Sequence, residues 1–372
     1  MKYYIIAGEA SGDLHASNLM KQISEKDPEA DFRFWGGDLM AAVGGKPVKH
    51  YRDLAFMGFL EVAKNIRTIL RNIRFCKEDV AAFEPDALIL VDYPGFNLRI
   101  AKWAKKVGIK VFYYISPQIW AWHSSRVQGI KASVDRMFVI LPFEPEFYQK
   151  YEYPVDFVGH PLLDVTENYQ ASDDFHTKNR LPDKPIIGLF PGSRKQEITR
   201  MLSEMLQVVP HYPDYHFVIA GAPSQATAFY QPFLAQISAK NLSFISQQSY
   251  DLLSHAKAAL VTSGTATLET ALFKVPQVVC YKGGPINYWL ARRLINVEYI
   301  SLVNLIVDRP LVQELIQGEL NTKQLRQGLD DILQAGKATE IKAGYDELIL
   351  KLGQKGASER AAHLMVHYAK EN

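Results

Sequence analysis

Short apolar runs separated by helix-length segments recur along most of this chain, and that alternation restricts its fold more than any other feature. In the first half the runs are Tyr3–Ala7, Phe32–Trp35, Ala87–Val91, Val111–Ile115, Met137–Leu141 and Phe157–Val158. Helical stretches stand between most of them: Leu14–Ser24, Phe59–Phe83, Leu98–Val107 and Pro145–Tyr151. The runs lack period-two alternation, which predicts strands buried on both faces. Buried strands joined through helices form a parallel sheet. The pattern restarts after a polar stretch, residues 161–184, with Ile186–Phe190, Phe217–Ala220, Leu242–Ile245, Ala258–Thr262 and Val278–Tyr281. A chain of 372 residues exceeds what one compact core holds. The expected architecture is α/β: two tandem doubly wound Rossmann-like domains, residues 1–160 and 161–355, with a ligand between their facing strand ends. Thr322–Lys370 reads as helical throughout, and its last part, residues 356–372, is expected to rejoin the first domain.

Composition removes several classes. With 48% hydrophobic and 22% charged residues the chain is not disordered. Two cysteines, Cys76 and Cys280, without CxxC spacing give neither a disulfide framework nor a zinc site. No segment approaches the roughly 18 apolar residues of a membrane span, and the N-terminal apolar stretch is too short for a signal peptide. A reducing cytoplasm is the expected compartment. The net charge is +2, but Lys46–Ile140 holds 16 Lys and Arg against 8 Asp and Glu, a local excess of 16 − 8 = +8. That excess suits a phosphorylated substrate or anionic lipid; no RNA motif or zinc finger accompanies it, so nucleic acid ranks last.

Five loops that leave strands carry chemistry. PGSRKQEI (191–198) combines Gly192, which permits close backbone approach, Ser193 as an expected N-cap, and the cation of Arg194. It is either an anion site or a capped helix with a solvated arginine. SGTATLE (263–269) opens a second helix at Gly264–Thr265, with the hydroxyls of Ser263 and Thr265 suited to phosphate oxygens and Glu269 to a ribose diol. Two such loops in one domain point to a nucleoside diphosphate. Neither GxxxxGK[ST] nor GxGxxG is present, which counts against an ATPase P-loop and a dehydrogenase. In the first domain AGEASGD (7–13) bears Glu9 and Ser11 and no cation, so hydroxyl groups suit it better than phosphate. Asp92 in VDYPGFN stands at a strand end, either as a general base or as a helix cap. SPQIWAWHSSR (116–126) gathers Trp122 and Arg126 for a sugar face or a lipid phosphate. Between Phe59 and Phe83, Lys64, Arg67, Arg71 and Arg74 fall within about 80° of one another on a helix. Val62, Ala63, Ile66, Ile69, Leu70 and Ile73 are expected on its core side. Phe56, Met57 and Leu60 crowd its start, as in a membrane-surface element; a solvated basic face is the alternative.

Taken in order, AGEASGD (7–13), MGFLEV (57–62), VDYPGFN (91–97), ISPQIWAW (115–122), VGHPL (158–162), LFPGSR (189–194) and SGTATLE (263–269) resemble lipid-A-disaccharide synthase, and the resemblance runs on through SLVNLI (301–306). It implies the glycosyltransferase-B fold and inverting transfer of 2,3-diacylglucosamine from UDP-2,3-diacylglucosamine to 2,3-diacylglucosamine 1-phosphate, with no cofactor. By the same resemblance Asp92 is the essential carboxylate, Glu9 and Ser11 line the active site, and Arg194, Glu269 and Asn304 bind UDP. A peripheral place on the cytoplasmic face of the inner membrane, at its anionic surface, is implied as well. Whether two copies pair as a homodimer is left open. Gly95 stands where many members carry a second Asp, so that carboxylate is not required here. No DxD motif is present, so no metal is expected. A UDP-sugar 2-epimerase, on the same fold, is the alternative activity.

Overall fold

The computed structural model describes residues 1–54, 66–122, 126–167, 169–235, 237, 239–284, 288 and 297–371, with Leu54 and Trp122 described by backbone alone. The chain forms two compact units, Met1–Asp164 with Leu352–Asn372, and Val165–Lys351.

The first unit is built on β1 (Lys2–Ala7), β2 (Asp31–Gly36), β3 (Lys46–His50), β4 (Ala87–Val91), β5 (Lys110–Tyr114), β6 (Arg136–Val139) and β7 (Asp156–Phe157). They pair in the order β3-β2-β1-β4-β5-β6-β7, all parallel. The second unit uses β8 (Ile186–Phe190), β9 (His216–Gly221), β10 (Leu242–Ser246), β11 (Ala256–Thr262), β12 (Gln277–Tyr281) and β13 (Gln313–Ile316), in the order β10-β9-β8-β11-β12-β13. These pairings are parallel too. The central strands are apolar along their length because helices cover both faces: β4 and β8 are buried at every residue. On one face of the first sheet Tyr4, Ile6, Leu88, Leu90 and Tyr113 pack against Ile73, Cys76, Val80, Phe96 and Ile100 from helices Ile66–Phe83 and Pro94–Lys106.

Two strands were not expected from the sequence. Both β3 (KPVKH) and β13 (QELI) lie at a sheet edge, where one flank is open and polar side chains are tolerated. The helical C-terminal stretch forms three helices, Thr322–Leu333, Ala335–Leu352 and Ala357–Lys370, the last starting after Gly356 as expected. Gln334 takes extended backbone after the first, and Gly353 and Gly356, at φ 91° and 88°, separate the second from the third. The last helix packs along helix Ala10–Lys26 of the first unit.

Each sheet reverses its direction of winding once. In the first unit the chain moves outward from β1 through β2 to β3, then returns and moves the other way from β4 to β7. In the second the reversal falls between β8 and β11. At such a switch point the loops leaving two neighbouring strands part to opposite faces, and the crevice they leave is where open α/β sheets bind ligands.

Candidate active site

In the first unit Ala7 lies opposite Val91, which puts the loops carrying Glu9 and Asp92 side by side at the switch point. Gly8 is required there: a Cβ on it would fall 2.3 Å from the Tyr93 ring. Glu9 is the N-cap of helix Ala10–Lys26 without a side-chain cap bond, and Ser11 is exposed on its first turn. Burial, and after it the Glu9 charge, pushes the Tyr93 phenol up. Asp92 and Tyr93 both adopt left-handed backbone, φ 46° and 50°. The N-cap of helix Pro94–Lys106 is Tyr93, with no side-chain cap bond of its own. The Asp92 N–H donates to the Tyr114 carbonyl at 3.0 Å; its own carbonyl accepts from Tyr113 Oη at 2.6 Å and Asn97 Nδ2 at 2.7 Å.

The acidity of AGEASGD divides between two jobs. Asp13 is buried and accepts from the N–H groups of Gly37, Leu39 and Met40 at 2.7, 3.1 and 3.2 Å, fixing the turn after β2. Glu9 is left at the crevice. Further along the rim, Ile115 after β5 is also left-handed, φ 66°. Ser116 is buried against Tyr148 Oη at 2.6 Å, and Trp120 lies edge-on to Phe143. Beneath them Glu144 accepts from Ile140 and Leu141 N–H at 3.1 and 2.9 Å, and burial raises its carboxyl to about 7. Trp122 closes helix Ile119–Trp122 and Arg126 is exposed as N-cap of helix Val127–Lys131.

In the second unit Val261 lies opposite Phe190, so the loops after β8 and β11 flank that switch point. Gly192 has φ 107° and Thr262 packs beside it. The expected N-cap is corrected: helix Lys195–Leu206 is capped at Arg194, in extended backbone, and Ser193 instead receives Ser224 Oγ on its carbonyl at 2.8 Å. Exposed Arg194 pairs with Glu197 at 3.1 Å. Gly264, exposed at φ 152°, is the N-cap of helix Thr265–Leu272, and no atom would meet a Cβ there within 4 Å. Thr265 is exposed on the first turn, and Ser263 Oγ donates to the Ile300 carbonyl at 2.8 Å. Glu269 is half-buried, accepts from Tyr250 Oη at 2.8 Å, and has its carboxyl raised by burial; it is not a surface carboxylate.

Asn304 lies on the first turn of helix Leu302–Val307, beside the loop at Ser301. Its side chain is buried, donates to the Val312 carbonyl at 2.8 Å and Glu314 at 2.9 Å, and accepts from Val312 N–H at 2.9 Å. These bonds use both amide hydrogens and one acceptor site of the carbonyl, and they tie Asn304 into the loop at Ser301. Glu314, which the sequence did not single out, gathers that loop: it accepts from Ile300 N–H, Ser301 N–H and Ser301 Oγ at 2.9, 3.0 and 2.7 Å.

Of the surface candidates, Phe56, Met57, Leu60 and Lys64 lie outside the described residues. Arg67, Arg71 and Arg74 are exposed on helix Ile66–Phe83. Ile66 and Leu70, expected on the core side, are instead 43% and 57% exposed, because the buried face runs through Ile73, Cys76 and Val80. Among the described residues no helix is long and apolar enough to cross a membrane.

Two doubly wound parallel sheets, each with glycine-bearing loops at its switch point, define an α/β protein of the glycosyltransferase-B fold. Solved structures agree. The UDP-GlcNAc 2-epimerase from Neisseria meningitidis bound to UDP-GlcNAc superposes with a TM-score of 0.70 at 13% identity, covering 99% of this chain and 100% of that one. A calicheamicin glycosyltransferase gives 0.60 at 15%, covering 99% and 97%. At these identities the likeness is one of fold alone. The chain belongs to the lipid-A-disaccharide synthetase family, whose model matches residues 3–367. Curated relatives named lipid-A-disaccharide synthase include one from Geobacter metallireducens, 39% identical over 97% of this chain and 96% of the relative. Another, from Coxiella burnetii, is 38% identical over 89% and 87%.

Proposed function

We propose that this protein transfers 2,3-diacylglucosamine from UDP-2,3-diacylglucosamine to the 6-hydroxyl of 2,3-diacylglucosamine 1-phosphate, with inversion and release of UDP. The observation that carries the reading is Asp92, a carboxylate at the switch point of a parallel sheet in a chain that matches this family from end to end. Asp92 takes the proton of the acceptor hydroxyl, whose oxygen forms a bond to the anomeric carbon as the bond to the UDP oxygen breaks. Glu9 and Ser11 receive sugar hydroxyls beside it, with Trp122 and Arg126 on the rim. The first unit is thus the acceptor side and the second the donor side. The developing charge on the diphosphate is met by amides at Gly264 and Thr265, the hydroxyl of Ser263, the Gly192–Ser193 backbone and the Arg194 guanidinium. Glu269 accepts from the ribose.

Diacylated substrates belong to a bilayer, because drawing acyl chains into water costs about 0.8 kcal/mol per CH₂. Work at a bilayer surface follows, and the family resemblance implies that it is the anionic cytoplasmic face of the inner membrane. The exposed pair Ile66 and Leu70 beside Arg67, Arg71 and Arg74 supports helix Ile66–Phe83 as the contact. The test is direct: purified protein mixed with both lipid sugars should yield disaccharide and UDP in equal amounts, also in excess EDTA. Epimerised UDP-sugar formed without acceptor would put the protein with the 2-epimerases instead.

A further inference from the structure

Asp92 and Tyr93 are consecutive non-glycine residues with positive φ, a conformation in which Cβ crowds the backbone and which persists only where the surroundings hold it. The Asp92 carbonyl is gripped twice, by Tyr113 Oη at 2.6 Å and Asn97 Nδ2 at 2.7 Å, and both donors come from residues with no exposed surface. The same Nδ2 lies 3.3 Å from the Val91 carbonyl and 3.4 Å from that of Ile6, so one amide gathers the ends of β4 and β1 at the switch point. Asn97 Oδ1 is buried with no partner. Burial drives the Tyr113 phenol far above its ordinary value, which keeps it a donor.

We propose that Asn97 and Tyr113 are positioning residues for the transfer reaction. They hold the left-handed Asp92–Tyr93 turn so that the Asp92 carboxylate meets the acceptor hydroxyl. The proposal rests on the reading of Asp92 as the base. Tyr113 reaches the turn from β5 and Asn97 from the first turns of the helix that follows it, so the clamp closes from both sides.

Tyr113→Phe removes one hydroxyl and keeps the ring in the core; Asn97→Ala removes the other grip. Each should lower kcat by roughly 10- to 100-fold, the size of effect that a small misplacement of a reacting group produces. Donor KM and UDP affinity should stay within about twofold, since the loss falls on the transition state. Asp92→Asn should itself lower turnover by about 10²- to 10⁴-fold. In that background Tyr113→Phe should lower it no further, because the group being positioned is gone. Turnover within about twofold of wild type for both Tyr113→Phe and Asn97→Ala would overturn the clamp. So would equal losses with and without Asp92, which would mark a general packing role. Undiminished turnover in Asp92→Asn would remove the base assignment and the clamp with it.

Discussion

Glu269 and Arg194 give the donor side its sharpest consequences at the level of single side chains. Burial raises the Glu269 carboxyl, and among the described residues Tyr250 donates the one hydrogen bond to it, so ribose hydroxyls would find an acceptor with room for more bonds. Arg194, paired with half-buried Glu197, has a guanidinium that a diphosphate would draw away, since a doubly charged ligand attracts it more strongly than one carboxylate. Glu269→Ala should weaken both UDP and uridine. Arg194→Ala should weaken UDP and leave uridine unchanged, each loss being roughly 10- to 100-fold, the range of one charge-assisted hydrogen bond. Calorimetric titration without acceptor reads both; unchanged UDP affinity in the two variants would mean the nucleotide binds elsewhere. Glycine and charge in a strand-to-helix loop made these two positions legible in the sequence. Asn304 and Asp13 were harder, because their partners are backbone groups of other segments, and no spacing rule shows an Asn turned inward on Val312 or an Asp turned onto Gly37.

At the scale of one element, helix Ile66–Phe83 is fixed at its far end and open at its near end. Asp79 takes Arg33 Nε at 2.8 Å and Tyr4 Oη at 2.6 Å, and Lys49 reaches Asn72 at 3.2 Å, which fastens the later turns to β1, β2 and β3. The first turns present Ile66, Arg67, Leu70 and Arg71 to solvent. Each cation near an anionic surface contributes about 1 kcal/mol and decays within a Debye length. Wild type should therefore sediment with anionic vesicles at low salt and much less at high salt. The Arg67/Arg71/Arg74→Glu triple variant should stay in solution at both, and sedimentation equal to wild type would make this helix an ordinary solvated face. The rim loop at Ser116–Trp122 offers a second test through Glu144 beneath it. Its carboxyl is raised from 4.5 to about 7, so between those values the folded protein keeps a proton that the unfolded chain has lost. Stability from this group is full below pH 4.5 and falls as pH rises toward 7. Glu144→Gln removes the penalty, so its stability gain over wild type should grow across that window by on the order of 3 kcal/mol. Denaturant melts at several pH values measure it; a difference independent of pH would show that Glu144 ionises like an exposed carboxylate.

For the molecule as a whole, the sheets were legible because a strand covered on both faces must be apolar throughout, as β4 and β8 are. The edge strands β3 and β13 escaped that signature, whereas Gly356 made the break before the last helix legible. That break matters, since the chain leaves the first unit at Asp164 and returns to it at Leu352. The returning segment is held by many bonds. Arg360 donates to the Val158 carbonyl through Nε and Nη2 at 2.9 and 2.7 Å, and Asp164 takes the Gly356 N–H. Lys110 reaches the Tyr368 and Ala369 carbonyls at 3.1 and 3.2 Å, and Arg136 lies 4.0 Å over the Tyr368 ring. Ala357, Ala361, Ala362, Met365, Val366 and Ala369 are buried. Losing that apolar burial would cost roughly 5 kcal/mol, comparable to the whole stability of a small domain. Deleting residues 357–372 should therefore unfold the first unit while sparing the second, whose loops at Gly192–Arg194 and Ser263–Thr265 lie inside Val165–Lys351. The expected truncated protein loses transfer activity and is cut rapidly by protease within residues 1–164, yet binds UDP within about threefold of full length. Protection of residues 1–164 equal to full length would show that the first unit folds without its last helix. Loss of UDP binding would show that the nucleotide-binding unit depends on the segment too.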